Sequence, residues 1–451
     1  MFRLSRLLAR LARAASRRLG RSGGTTAPGR LLLRLSPRAL ERMSRELDSG
    51  AVLVSATNGK TTTAGMIAAA LERAGRPVVH NRAGSNMAWG VATALLDAGR
   101  ASGQVGLFEV DEAWLAPVAA QVEPRLLLLA NLFRDQLDRY GELESLADRW
   151  AELVAAADSE TRFVLNADDP LVADLGRGRD GVVYFGLEDD AHSLPSMQHA
   201  ADSKHCRNCG AAYHYDAVYL GHLGRYRCPR CGRERPAPAV TATSVRLEGM
   251  SGSRVELRTP EGELSLRLPL PGLYNVYNAV AAAATALELG LPPATVVEAL
   301  EGFGGAFGRV ETIPIDGRGL SILLVKNPVG ANEVLRTLTL EEGRLDIWLA
   351  LNDRTADGRD VSWIWDADFE LLEGRVRRAT CTGTRAEEMA LRLKYAGVDE
   401  EITVERDLGR ALDGALAAAA GEPVYALPTY TALLDLRDLL AKRGLAGRWS
   451  E

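Results

Sequence analysis

The segment Ala51-Val-Leu-Val-Ser-Ala56, apolar at five of six positions, runs directly into Thr57-Asn58-Gly59-Lys60-Thr61-Thr62-Thr63, and an Ala-rich stretch comes next from Ala64 to Leu71. An apolar strand, a tight Gly-Lys-Thr turn and a helix in that order build a phosphate cradle. Backbone N–H groups and the helix N-terminus face the anion, Lys60 supplies a point charge, and a Thr hydroxyl can ligate Mg²⁺. The common Gly-x4-Gly-Lys-Ser/Thr spacing would require Gly where the chain has Val54, so the loop is a variant. A Gly-Lys turn arising by chance at a strand–helix junction is the weaker reading, because strand, turn and helix all agree.

The surrounding pattern is α/β. Short, nearly continuous apolar runs at Ala51–Ser55, Pro77–His80, Val105–Glu109, Arg125–Ala130 and Arg162–Asn166 alternate with helical stretches, which predicts a parallel sheet covered on both faces. Residues 182–245 break the rhythm, 243–270 alternate as hairpin strands, and a helix is expected over Asn275–Leu289. A second α/β series begins after it, with strands expected at Ile322–Val325, Ile347–Leu351, Arg378–Thr382 and Pro423–Ala426. The 451 residues accommodate about three domains. The expected division is a basic helical segment over 1–45, a central domain over 46–310 and a C-terminal domain over 311–451, with the boundary near Gly308–Ile313.

Net charge is −5, which gives no reason to expect nucleic acid as partner of the whole molecule. Lysine is scarce, five against 49 arginines, and two of the five, Lys60 and Lys326, fall inside motif-like segments. The first 40 residues carry ten Arg and no acid, with Leu4, Leu7, Leu8 and Leu11 at helical spacing. Met1–Leu19 therefore reads as a basic amphipathic helix. It suits an anionic membrane surface, packing against the rest of the chain or, less well, an organellar presequence. No run of about 18 apolar residues exists to span a bilayer.

Cys206-x2-Cys209 and Cys228-x2-Cys231, with Gly210 and Gly232 after each pair, have the spacing of a tetrahedral Zn(Cys)₄ ribbon, here inserted over about residues 203–236. Two disulfides or four free thiols are the weaker alternative. Arg207, Arg225, Arg227, Arg230, Arg233 and Arg235 add charge, but four Cys ligands close the metal, so the ribbon reads as a structural staple or interface. The fifth cysteine, Cys381, lies in an expected strand and reads as core.

Three polar clusters end successive expected strands: Glu109-Val-Asp111-Glu112, Asn131-Leu-Phe-Arg-Asp135-Gln-Leu-Asp138-Arg and Asn166-Ala-Asp168-Asp169-Pro. The carboxyl edge of an open α/β sheet is where ligands sit. Glu109 is the candidate to hold Mg²⁺ with Thr61, while Asp111 and Glu112 could equally cap the next helix.

Taken together, these segments resemble the Mur ligase superfamily of ATP-dependent acid–amine ligases. Thr57, Asn58, Gly59, Lys60, Thr61 and Thr62 match its phosphate loop, Glu109 its Mg²⁺-binding glutamate, and Asn131, Asn166 and Asp168 lie in its polar motifs. Gly272-Leu-Tyr-Asn275-Val-Tyr-Asn278-Ala resembles its adenine-contacting helix start, and Gly308-Arg309 the Gly-Arg that reaches the phosphates. The resemblance implies a central P-loop ATPase domain with an inserted Cys₄ zinc ribbon and a Rossmann-like C-terminal α/β domain, binding ATP, Mg²⁺ and a structural Zn²⁺.

Three departures narrow it. Gln136 replaces the usual His. No lysine lies between Lys60 and Lys204 to be carbamylated. Leu323-Leu-Val-Lys326-Asn327-Pro328 replaces the usual start of the last domain. With Asn352-Asp353 through Asp357-Gly358-Arg359-Asp360-Val-Ser362-Trp363-Ile-Trp365-Asp366, they point to the ligase-like subunits of lipid II isoglutaminyl synthases.

That resemblance implies a cytoplasmic bacterial enzyme that amidates the stem-peptide D-Glu α-carboxylate of lipid II. Ammonia would come from a separate GatD glutaminase whose Cys–His pair Asp360 completes. Lys60 and Glu109 would serve the phosphoryl transfer, and the basic N-terminus could touch the inner membrane face. Trp363 and Trp365 are then core or interface aromatics, with core the favoured reading. An amino-acid-adding Mur ligase, a folylpolyglutamate synthase-like ligase and a nucleic-acid-binding zinc-ribbon ATPase are the alternatives.

Overall fold

The computed structural model describes residues 2–18, 26–82, 85–98, 102–135, 143–198, 201–304, 310–315, 317–398 and 401–446. The chain begins with three helices, α1 (Phe2–Arg18), α2 (Ala27–Leu35) and α3 (Ala39–Ser44). The first sheet then starts with β1 (Ala51–Ser55), β2 (Val78–His80), β3 (Val105–Glu109), β4 (Leu126–Leu129), β5 (Arg162–Asn166) and β6 (Val182–Leu187). Between them come α4 (Lys60–Arg73), α5 (Ala88–Asp97), α6 (Leu115–Val122), α7 (Leu143–Ala156) and the single turn α8 (Pro170–Ala173). A separate hairpin, β7 (His214–Leu220) and β8 (Leu223–Arg227), precedes β9 (Val240–Leu247), β10 (Ser253–Thr259) and β11 (Gly262–Leu268). The order across this sheet is β11-β10-β9-β6-β5-β4-β1-β3-β2. It is parallel from β9 to β2, and β10 and β11 continue it as antiparallel ribbons.

Each central strand feeds both faces, as a buried parallel strand must. Val52 and Val54 of β1 pack with α4, α9 (Leu273–Glu288) and α10 (Pro293–Glu301). Ala51 and Leu53 pack on the other side with α2, α3, α5, α6 and α7. The strand expectations at the centre hold to within one residue. The helix after β1 starts earlier than the Ala-rich stretch, at Lys60, because Gly59 caps it in the left-handed region at φ 87°.

The second sheet is built from β12 (Val310–Ile315), β13 (Arg318–Leu323), β14 (Leu345–Ala350), β15 (Val376–Thr382), β16 (Glu401–Val404) and β17 (Val424–Pro428) in the order β12-β13-β17-β14-β15-β16. Only the β12–β13 hairpin is antiparallel. The helices α11 (Pro328–Leu338), α12 (Ala386–Tyr395), α13 (Leu408–Ala418) and α14 (Tyr430–Lys442) cover it. The strand expected to reach Val325 stops at Leu323, because Lys326-Asn327-Pro328 opens α11: Asn327 Oδ1 accepts the Gly330 N–H at 2.9 Å and Pro328 takes the first helical position. Edge strands β12 and β16 have no counterpart among the expected strands. The β16 residues Glu401–Val404 are mostly exposed and lack the apolar run that betrays a buried strand.

Cys381 is fully buried in β15, and burial pushes its thiol up to about 12, consistent with a core residue. Trp363 packs partly against the second core. Trp365 does not: it is 48% exposed and sits edge-on to Tyr395, with ring centroids 5.5 Å apart. The short 3₁₀ turn Ser362–Trp365 carries Ile364 inward, and its spacing leaves the next residue outside.

Trp150 of α7 is fully buried, and its indole N–H donates to the Glu112 carbonyl at 3.1 Å. Trp150→Ala should destabilise the chain by about 3–5 kcal/mol, the cost of an emptied aromatic site. Trp150→Phe, which loses chiefly the hydrogen bond, should cost about 1–3 kcal/mol. Urea unfolding of the two variants checks the difference.

A phosphate loop closed by residues of the second sheet

The loop 57–60 leaves β1 at its carboxyl edge and is held from several sides. Asn58 N–H donates to Asn131 Oδ1 at 2.9 Å while Asn131 Nδ2 donates to the Asn58 carbonyl at 3.0 Å, a reciprocal clamp. Thr57 Oγ1 donates to the Phe133 carbonyl at 3.3 Å and accepts the Phe133 N–H at 3.0 Å. Gly59 is required twice over. Its φ is left-handed, and a Cβ there would lie 2.0 Å from Asn278 Oδ1 on α9. Asn278 Oδ1 also accepts from Thr63 Oγ1 at 3.2 Å, and Asn278 Nδ2 donates to Asn275 Oδ1 at 3.1 Å. Asn275 is fixed in turn by its Nδ2 bond to the Pro271 carbonyl at 2.8 Å.

Thr61 and Glu109 meet as the sequence predicts: Thr61 Oγ1 lies 2.9 and 2.8 Å from the two Glu109 oxygens. Asn81 sets the Glu109 backbone, accepting its N–H at 2.9 Å and donating to its carbonyl at 2.8 Å. A hydroxyl and a carboxylate converging beside a phosphate loop are hard oxygen donors of the kind Mg²⁺ takes.

Lys60 is buried, and its Nζ lies 2.8 Å from Glu112 Oε2 and also donates to the Ala56 carbonyl. Burial alone would lower the lysine, but Glu112, Asp111 and Glu109 outweigh it and hold the ammonium above its ordinary value. Burial would likewise raise Glu112, yet Lys60 and Lys326 keep it below the usual carboxylate range. Neither Asp111 nor Glu112 fits the Mg²⁺ or helix-cap reading in full. Asp111 Oδ1 accepts the Ala113 N–H at 3.2 Å as a turn residue, whereas Glu112 is the counterion of Lys60.

Two residues of the segment that departs from the family pattern complete the loop. Lys326 Nζ donates to the Thr57 carbonyl at 3.1 Å and to Asp135. Asn327 and Asn58 exchange amide hydrogen bonds at 3.0 and 3.3 Å across 269 residues of sequence. A cavity beside the loop is bounded by Asn58, Gly59, Asn275 and Tyr277 on one side and by Lys326 and Val329 on the other.

Asn166 and Asp168 spend their side chains within the protein. Asn166 Oδ1 accepts the Asp168 N–H at 2.9 Å, and fully buried Asp168 accepts from Arg235, from Tyr277 Oη at 2.7 Å and from the Leu187 N–H at 2.9 Å. The buried carboxyl of Asp168 is raised, desolvation outweighing Arg235. Arg309 and the Gln136–Asp138 part of the expected site lie outside the described residues.

The four cysteine Sγ atoms of Cys206, Cys209, Cys228 and Cys231 all lie within 4.8 Å of one another. The pairs Cys206–Cys231 and Cys209–Cys228 are 3.5 and 3.4 Å apart, far beyond the ~2.05 Å of a disulfide. Four thiols converging on one point fit a single tetrahedral ion. Each ribbon arginine has a partner within the chain, although Arg207, Arg227 and Arg230 stay exposed. Arg207 pairs with Asp148, and Arg225, Arg227, Arg233 and Arg235 lie 2.7, 3.7, 2.8 and 2.5 Å from Asp190, Asp216, Asp174 and Asp168. Arg230 donates to the Cys209 carbonyl at 3.2 Å.

Asp360 stands apart from the phosphate loop, on the loop after β14. That loop is anchored by Asn352, whose Nδ2 donates to Thr431 Oγ1 at 2.9 Å and whose Oδ1 accepts the Thr384 N–H at 3.0 Å, and by Asp357, which accepts the Thr431 N–H at 2.7 Å. Asp360 is exposed, and it accepts the Ser362 N–H at 2.8 Å. Its bonds to the Ser362 side chain and backbone hold its carboxyl below the ordinary range.

The fold and loop define a Mur ligase. Residues 54–228 match the model of the Mur ligase middle domain and residues 324–433 that of the MurT ligase C-terminal domain. The chain is 34% identical over 434 residues, 96% of each chain, to the lipid II isoglutaminyl synthase (glutamine-hydrolyzing) subunit MurT of Staphylococcus aureus strain N315. It is 31% identical, over 94% of each chain, to the same subunit of Streptococcus pneumoniae strain ATCC BAA-255 / R6. Among solved structures, a pseudomurein peptide ligase type C from Methanothermus fervidus shares the fold, with a TM-score of 0.67 and 24% identity over 88% of this chain and 79% of that one. The chain belongs to the MurT family.

The Lys60–Glu112 pair sets a pH window. Glu112 is held below its ordinary 4.5, so its contribution is complete above that pH and is lost as pH falls through the depressed value. Lys60 is held above 10.5, so its contribution is complete below that pH and is lost as pH rises through the raised value. Glu112→Gln leaves the ammonium buried without a counterion and should cost about 3–5 kcal/mol at pH 7. The gap from wild type should narrow as pH falls below the ordinary 4.5 and through the depressed value of the native carboxylate, as measured by denaturant unfolding across pH.

Proposed function

We propose that this chain is the ATP-dependent subunit that converts the α-carboxylate of the D-Glu residue in the lipid II stem peptide to the amide, giving D-isoglutamine. The observation that carries the reading is the phosphate loop braced by Thr61–Glu109 within one domain and by Lys326 and Asn327 from the next. Residues 46–310 form the nucleotide-binding domain in this reading, and 311–451 the domain that meets a GatD-type glutaminase.

A carboxylate does not react with ammonia at neutral pH, so ATP first transfers its γ-phosphoryl group to the carboxylate oxygen, giving an acyl phosphate and ADP. Ammonia then forms the C–N bond, the C–O bond to phosphate breaks, and a proton leaves the nitrogen. Asn58, Gly59, Lys60, Thr61 and Thr62 hold the triphosphate. Lys60 and Lys326 offset charge on the transferring group, where positioning and electrostatics supply most of the catalysis. Thr61 and Glu109 hold Mg²⁺, which supplies Lewis-acid neutralisation of the phosphate oxygens. Asn131 and Asn275 set the loop and the cavity wall, and the family resemblance assigns Arg309 a phosphate-contacting role. Asn166 and Asp168 act through the residues that they position. Cys206, Cys209, Cys228 and Cys231 bind a structural Zn²⁺.

Asp360 serves the partner. An ionised, exposed carboxylate on an anchored loop can accept from an imidazole N–H of the glutaminase and fix its tautomer. In the reconstituted complex, Asp360→Asn should lower glutamine-dependent amidation by up to about 10⁴-fold while leaving amidation from ammonium salt intact. Lys60→Ala should lower both by at least about 10²-fold. Full glutamine-dependent activity in Asp360→Asn would refute the assignment.

The lipid-linked substrate accounts for the outward face of α1. Ser5 and Ala9 face the protein, and Arg6 pairs with Glu46 at 2.9 Å and Arg13 with Asp97. Leu4, Leu7, Leu8 and Leu11 point outward, 60, 54, 43 and 58% exposed. Among the described residues no helix is long and apolar enough to cross a membrane. An exposed leucine stripe on a basic helix is suited to lie in an anionic interface. Replacing the four leucines by Ser should abolish co-flotation with phosphatidylglycerol vesicles and leave amidation of a detergent-solubilised substrate unchanged. Undiminished flotation would remove this contact from the reading.

A further inference from the structure

The Cys₄ insertion does more than close on its metal, because its hairpin reaches the nucleotide cavity. Leu220 ends β7 and Leu223 begins β8, and both line the cavity beside Gly59, Asn275 and Tyr277. The tip between them is fixed on every side. His222 is fully buried, its ring centroid 4.8 Å from that of Phe133 and its Nε2 3.4 Å from Asp169. Gly221 N–H donates to Gln198 Oε1 at 2.7 Å, and Gly224 N–H to the Asp168 carbonyl at 3.0 Å. Arg336 of α11 donates to the Tyr219 carbonyl at 2.9 Å, so the second sheet's first helix also grips the hairpin.

The far end of the insertion is tied to the same place. Arg235, just past the last cysteine knuckle, pairs with Asp168, and Asp168 accepts from Tyr277 on α9, which lines the cavity. The tyrosines of the ribbon pack together between the two ends, Tyr213 edge-on to Tyr226 and Tyr215 tilted against it, with centroids 5.0 and 6.0 Å apart. An insertion used only as a surface staple would have no need for an apolar tip buried against the phosphate loop. Leu220 and Leu223 are 4 and 2% exposed, yet they border open space.

We propose that the β7–β8 hairpin is the base-binding wall of the nucleotide cavity, with Leu220 and Leu223 supplying the apolar surface on which a purine ring rests. The inference rests on the reading of this cavity as an ATP site. The phosphates have their own donors in loop 57–62, so the hairpin acts on the base alone. Asp168, Arg235 and His222 are positioning residues that hold the wall at its distance from α9.

The test compares two ligands on the full chain in its complex: a non-hydrolysable ATP analogue and inorganic tripolyphosphate, each with Mg²⁺, by calorimetric titration. Leu220→Ala/Leu223→Ala should weaken the ATP analogue by about tenfold, the loss of part of two leucine contacts, and leave tripolyphosphate affinity unchanged. Leu220→Met/Leu223→Met, which restores volume, should recover the analogue. A thermal melt of each variant with its cooperative transition intact shows that the binding site is folded. Unchanged analogue affinity in the folded Ala variant, or an equal loss for both ligands, would overturn the proposal. Failure of the ATP reading itself has a different signature: the wild type would bind neither ligand, and Lys60→Ala would change nothing.

Discussion

A lysine ammonium with almost no access to water governs how the site is built. Removing Lys60 from solvent is tolerable only because Glu112, two backbone carbonyls and the further carboxylates Asp111 and Glu109 surround it. Glu112 must then be held in place, which Trp150 does through the Glu112 carbonyl. Glu109 must be held too, which Asn81 does from the turn beyond the edge strand β2. The charge pair thus reaches through the sheet in both directions, and the first core is organised around keeping it intact.

The second consequence of an anion site at a strand edge is that something must close it. The first sheet presents the loop and α9, and the second sheet answers with the N-terminus of α11. Asn327 performs two tasks with one amide, capping α11 through its oxygen and trading hydrogen bonds with Asn58. Lys326 adds a cation beside the loop, donating to the Thr57 carbonyl. The two sheets therefore meet at the polar turn that the phosphate requires. At the other sheet's edge, β14, β15 and β17 end at a network of Asn352, Thr384 and Thr431 that holds Asp360 out to solvent.

Much of this was legible from local pattern. Thr57–Thr63 and Glu109 are short-range features, where an apolar strand fixes the direction in which the next few residues leave the sheet, and the four cysteines announce their own convergence. The features that escaped were set by distance or by choice of partner. Glu112 read equally well as a helix cap, because sequence adjacency cannot say which side of a strand end a carboxylate faces. Lys326 stood out as a scarce lysine and Asn327 as part of a mismatch, but their roles were hidden because their side-chain partners Asp135 and Asn58 lie 191 and 269 residues away. Asp168 sat in a recognised motif, but its burial against Arg235 and Tyr277 depends on an insertion whose path no periodicity describes. Trp365 was read as core in preference to interface and is outside, because the turn before it spends Ile364 on the core.

The Cys₄ ribbon also has a topological meaning. β6 and β9 are parallel neighbours in the first sheet, paired from Phe185–Val240 to Leu187–Ala242. Parallel neighbours cannot be joined by a tight turn and need a crossover of a dozen residues or more, usually a helix packed on the sheet. Here the residues between Leu187 and Val240 make that crossover, and the Cys₄ ribbon stands where a helix would ordinarily carry the chain back. The ribbon is therefore part of the sheet's wiring: removing it leaves two strands that must run side by side with nothing to bring the second one round.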